Sequence, residues 1–113
     1  MADVVEATRE TFDELVATGL VLVDVWGPDC RPCVALAPHV EGVAESRPEL
    51  AVVKLDASKA RRLCMARQVR GVPTFLLFRD GQEVARISHP SLQPAQLDRW
   101  LATELDRLQA EED

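Results

Sequence analysis

Cys30 and Cys33, separated by two residues and placed just behind the apolar run 20–25, constrain this chain more than any other feature. Thiols at that spacing close a small ring with little backbone movement, so the pair can pass between dithiol and disulfide. The residues that follow read as a helix. Cys33, Leu36, Ala37, Val40, Val43 and Ala44 recur at three- and four-residue intervals, and Pro32 is tolerated in a first helical turn. The pattern predicts a helix to about Glu45, bent at Pro38, where the ring removes a backbone donor. Cys30 then falls at a helix N-terminus, where free N–H groups and the positive end of the helix dipole favour a thiolate. Cys33, further in, turns toward the core, so the first sulfur attacks and the second resolves. Half of a zinc site, or two inert buried cysteines, are the competing readings. For zinc the chain offers only Cys64, His39 and His89 as further ligands, none paired at ligand spacing.

The 113 residues fit a single domain over 1–113 with a core of about 4–108, and 47% hydrophobic residues suffice to pack it. With 13 basic against 19 acidic residues the net charge is −6, and no basic run exceeds Arg61 and Arg62. Nucleic acid and anionic membrane are not expected partners. The acidic start Met1, Ala2, Asp3 leads into no long apolar segment, so the expectation is a cytoplasmic protein without a secretory signal. In a reducing compartment a CxxC is catalytic rather than structural.

In chain order, Val4 and Val5 begin a short edge strand. Thr11 and Glu14 have capping-box spacing ahead of Phe12, Leu15 and Val16, and Gly19 closes that helix. The run 20–26 reads as a central strand covered on both faces, in which Asp24 is the anomaly. A carboxylate there either faces solvent at the strand end or is buried with a raised pKa, as a proton acceptor for the resolving thiol. The run 50–55 is a second such strand, and its Lys54 either approaches Asp24 or snorkels to solvent. Residues 58–68 form a basic helix with Lys59, Arg61, Arg62 and Arg67 outward and Ala60, Leu63 and Cys64 inward. Cys64 reads as a small buried hydrophobe. After a turn at 70–74, the strand 75–78 and the segment 83–88 form a hairpin about Asp80 and Gly81. A last helix starts near Gln93 and Pro94 with Leu97, Leu101, Leu105 and Leu108 on one stripe beside Trp100, fraying from Ala110. His39 and His89 read as surface residues.

This order of elements resembles the thioredoxin family over 4–108. VLVDVW at 21–26 is similar to the family's strand with a buried acid, and Cys30, Pro32 and Cys33 to its CGPC. Pro38 is similar to its helix-kinking proline, Lys54 to the lysine that pairs with the acid, and GVPTFLLF at 71–78 to its cis-proline segment. The resemblance implies an α/β thioredoxin fold, a central mixed sheet of about five strands flanked by four helices. It also implies roles: Cys30 as nucleophile, Cys33 as resolving thiol, Asp24 as proton relay with Lys54 beside it, and Pro73 as the cis-proline. Val72 would then pair with an extended substrate, with Trp26, Arg31 and Pro32 completing the docking surface. Asp29, Arg31 and Val34 replace the family's usual Trp, Gly and Lys around the cysteines, and Pro90 stands where a groove glycine is usual. WGPDCRPCVALAPHVE and KARRL are also similar to a subgroup associated with glycine reductase in amino-acid-fermenting anaerobes.

The resemblance implies a monomeric protein-disulfide reductase, an electron carrier with no cofactor beyond its own disulfide, fed by NADPH through thioredoxin reductase. Its partners would be disulfide-containing targets and the glycine reductase system. A thiol oxidase or isomerase, and a non-catalytic binding module of the same fold, are the alternatives.

Overall fold

The computed structural model describes residues 3–112. Its strands are β1 (Val4–Ala7), β2 (Leu20–Trp26), β3 (Leu50–Asp56), β4 (Thr74–Arg79) and β5 (Gln82–Ser88). The helices are α1 (Phe12–Leu15), α2 (Arg31–Ser46), α3 (Arg61–Ala66) and α4 (Pro94–Glu112), with a 3-10 turn at Ala57–Lys59. The strands form one mixed sheet in the order β1-β3-β2-β4-β5. β1 and β2 run parallel to β3, while β4 is antiparallel to β2 and β5 to β4.

β2 is central because it can be buried on both faces, as its run of apolar residues requires. Val21, Val23 and Val25 pack in one core layer with Phe12 of α1, Val16 directly after it, and Cys64 of α3. Leu22 packs in the other with Leu36 and Val40 of α2 and Leu97, Leu101 and Leu108 of α4. Side chains alternate along a strand, so Asp24 and Trp26 take Leu22's face. The buried acid thus belongs to the layer of the helix that carries the dithiol.

Several local expectations are corrected. Thr11 makes no forward capping bond. It pairs reciprocally with Thr8 instead: Thr8 N–H donates to Thr11 Oγ1 at 2.9 Å and Thr11 N–H to Thr8 Oγ1 at 3.2 Å, a capping box displaced three residues upstream. The short α1 ends at Leu15, and Gly19, with φ +71°, shapes the entry to β2 rather than the helix end. There its N–H donates to Asp80 Oδ1 at 2.8 Å. The basic segment 58–68 is not one helix, because Asp56 Oδ1 accepts from Ser58 N–H at 2.9 Å and winds the chain into the 3-10 turn before α3 begins.

Arg67 is half-buried, not exposed. Its guanidinium lies 5.4 Å from the Phe12 ring and 5.2 Å from the Phe78 ring, with Asp13 at 3.6 Å. From β5, Arg86 donates to the carbonyls of Arg67 at 2.9 Å and Gln68 at 3.0 Å while paired with Glu83. Asp80 and Gly81 both have positive φ, 51° and 86°, as a two-residue hairpin matching the sheet twist requires. α4 passes Ala110 and continues to Glu112, where Glu111 pairs with Arg79 and Arg107 and Glu112 with Arg79. Asp113 lies outside the described residues, as do Met1 and Ala2 of the N-terminal reading.

Candidate active site

β2 and β3 run parallel side by side, so the loops that leave their C-terminal ends emerge together at one end of the sheet. The loop after β2 delivers Cys30 to the N-cap of α2, with extended backbone (φ −90°, ψ 103°) and Pro32 just inside the helix. Cys30 Sγ takes the position of a capping oxygen and accepts the Cys33 N–H at 3.2 Å. In this structure Cys30 and Cys33 are joined as a disulfide, their Cα atoms 5.3 Å apart. Cys30 remains partly accessible, whereas Cys33 is only 3% exposed. A helix N-terminus with an N–H already aimed at the outer sulfur favours its thiolate once the bond is reduced.

Asp24 is 2% exposed. Burial, the largest influence, lifts its pKa from the ordinary 3.8 to about 7, against the downward pull of Lys54 and with a smaller upward push from Glu6. Lys54 is Asp24's direct neighbour across the β2–β3 pair. No ion pair joins the two among the described residues; the Lys54 ammonium instead lies 4.5 Å above the Trp26 ring. Lys54 therefore acts on the acid through space while its charge rests on the indole. Trp26 Nε1 is buried without a hydrogen-bond partner among the described residues.

The Val72–Pro73 peptide is cis. This loop stands directly across from the dithiol loop: a Cβ placed on Gly27 would lie 3.9 Å from Val72 Cγ2. Thr74 Oγ1 donates to the Gly71 carbonyl at 2.6 Å and lies 2.8 Å from Ser88 Oγ, fixing the loop to β5. A groove of about 660 Å³ opens over the site, lined by Gly27, Pro28, Asp29, Cys30, Arg31, Pro32, Ala57, Ser58 and Val72. Arg31 and Pro32 also line a second groove of about 470 Å³ between α2 and the loop entering α4. Val34 is exposed beside them.

The structure thus gathers Cys30, Arg31, Pro32 and Val72 on one groove, with Cys33 beneath it and Asp24, Lys54 and Trp26 on β2 and β3. Ala57 and Ser58 are wall residues that reading the sequence missed. The signal was the parallel pairing of the two apolar strands, which brings the loop after the second beside the dithiol. Cys64 is buried in the α1 and α3 layer, and burial raises its thiol pKa. His39 is half-buried and 2.7 Å from Asp98, tying α2 to α4. Among the described residues no group of three or more His, Cys, Asp or Glu side chains is placed to hold a metal ion.

Residues 3–103 match the family model for thioredoxin. A thioredoxin of Acetoanaerobium sticklandii is 35% identical over 82% of this chain and 91% of its own length. Thioredoxin C-3 of Corynebacterium nephridii is 35% identical over 93% of this chain and 73% of its own. Among solved structures, a mutant thioredoxin from Halobacterium salinarum superposes with a TM-score of 0.80 at 30% identity, covering 89% of each chain.

Proposed function

Because the chain belongs to the thioredoxin family and is a thiol–disulfide oxidoreductase that reduces protein disulfides, we propose that NADPH, through a thioredoxin reductase, supplies its electrons in the cytoplasm. The observation that carries the assignment of roles is the asymmetry of the two sulfurs, one accessible and hydrogen-bonded at a helix N-cap, the other buried.

In the proposed cycle the reductase delivers two electrons and one proton to the Cys30–Cys33 disulfide, leaving Cys30 as thiolate and Cys33 as thiol. Cys30 thiolate attacks one sulfur of a target disulfide, forming a mixed disulfide and releasing the target's first thiolate. Cys33 then gives its proton to Asp24 and attacks Cys30, releasing the target's second thiolate and restoring the Cys30–Cys33 bond. A carboxyl group with a pKa of about 7 is matched to that proton transfer at neutral pH. Val72, beside Pro73, offers backbone to an extended target segment, with Trp26, Arg31 and Pro32 around it. The similarity of WGPDCRPCVALAPHVE and KARRL to glycine-reductase-associated thioredoxins supports that system as one client.

The test is reduction of a protein disulfide by the chain with NADPH and a thioredoxin reductase, run beside the same reaction with a chemical reductant. Both should proceed. Turnover with the chemical reductant alone rejects the donor while leaving the chemistry in place. A glycine reductase arm with the same two donors tests the client.

A further inference from the structure

In a chain of net charge −6, the segment 57–71 carries five cations, Lys59, Arg61, Arg62, Arg67 and Arg70, and no carboxylate. Arg67 is committed to Phe12, Phe78 and Asp13. Lys59, Arg61 and Arg62 are exposed and enter no ion pair among the described residues. With Arg9 and Ser58 they line a bay of about 310 Å³. No carboxylate lines the bay; Glu10 pairs with Arg9 at 2.6 Å, and Asp56 accepts from Ser58 N–H and Oγ at 2.9 and 2.7 Å.

Ser58 is also a wall of the groove over Cys30, so the basic bay and the dithiol groove form one continuous surface. On α3, one turn past Arg61, Met65 is 77% exposed. A small anion would use the charges alone. A polypeptide would use the charges and the flexible thioether together, which decides the kind of occupant.

We propose that this bay docks an acidic stretch of the target protein flanking its reacting disulfide, with Met65 receiving an apolar side chain from the same stretch. The inference rests on the reductase reading above and narrows its clients to disulfide proteins with acidic, partly apolar flanks. A segment passing Val72 and Cys30 toward Ser58 runs onto the three uncommitted cations. Encounter of such targets is accelerated at low ionic strength and slowed by salt.

The experiment uses the full chain held reduced by a chemical reductant and two disulfide peptides that differ only in their flanks. One flank alternates Glu and Leu and the other Ser and Leu. The wild type should reduce the acidic peptide on the order of 10-fold faster at low salt, with the preference shrinking as salt rises. Combining Lys59→Gln, Arg61→Gln and Arg62→Gln should abolish the preference and leave the rate on the neutral peptide unchanged. Met65→Ser should slow the acidic peptide severalfold.

Equal wild-type rates on the two peptides, or a preference that survives the triple substitution, overturn the proposal. A triple variant slowed only in regeneration by a thioredoxin reductase assigns the bay to the donor and equally overturns it. Failure of the wild type to reduce either peptide overturns the reductase reading itself.

Discussion

Replacing Asp24 with Asn should make the disulfide form more stable, and the gain should depend on pH in a defined way. The wild-type carboxyl is 2% exposed and keeps its proton up to a pKa of about 7, whereas an unfolded chain releases it near 3.8. Between those values the folded state binds more protons than the unfolded state, so wild-type stability falls as pH rises and levels off above about 7. A displacement of roughly three pKa units corresponds to about 4 kcal/mol. Asparagine has the same shape and no titration, so its stability relative to the wild type should rise by this amount between the two values. The cost of burying an amide, about 1–2 kcal/mol at every pH, makes the variant slightly less stable than the wild type below the lower value and leaves it about 2–3 kcal/mol more stable above the higher one. Urea unfolding of both oxidised proteins at a series of pH values measures the difference directly. A wild-type-minus-variant difference that stays flat from acid to mildly alkaline pH would falsify the claim that Asp24 titrates in a buried site. The same substitution should slow turnover near neutral pH, since the proposed proton acceptor is gone, while leaving the fold intact.

Cys33→Ser should accumulate mixed disulfides with targets through Cys30, detectable by non-reducing electrophoresis, and Cys30→Ser should not; equal trapping by the two would reject the division of roles. Arg67→Ala should cost about 2 kcal/mol, because it strips a guanidinium from two aromatic faces. Asp13→Asn, which removes only an 88% exposed partner, should cost at most about 0.5 kcal/mol and lose that effect in salt. Thermal melts at two ionic strengths separate them.

The dithiol, the central strand and the hairpin were legible because each is a local signal: a spacing, an unbroken apolar run, a pair of residues suited to positive φ. Asp24 was legible as an exception within such a run. What was not legible depends on neighbours distant in sequence. Arg67 reads as a solvated cation until Phe12 and Phe78 are brought together, their rings 5.7 Å apart, and the side chain finds a surface to cover. The segment 58–68 has a helical pattern, yet one Asx turn at Asp56 outweighs it for the first three residues. The tail of α4 should fray by position alone, and Arg79, a residue of β4, gives it partners. Thr11 had two possible partners at a spacing of three, and Thr8 prevailed.

Arg86 sits on the edge strand, yet its hydrogen bonds end on the carbonyls of Arg67 and Gln68, and the far end of the same loop is held to β5 through Thr74 and Ser88. The loop bearing Val72 is therefore not a separate foldon. To open, it must release the strand that borders the sheet, so the amides of both should exchange with solvent on a shared clock, slower than that of a loose connection. In the proposed role, this loop meets its targets already ordered. The conformational entropy lost on forming the encounter falls on the incoming polypeptide, and flexible, unpaired segments around a disulfide are penalised relative to those already extended.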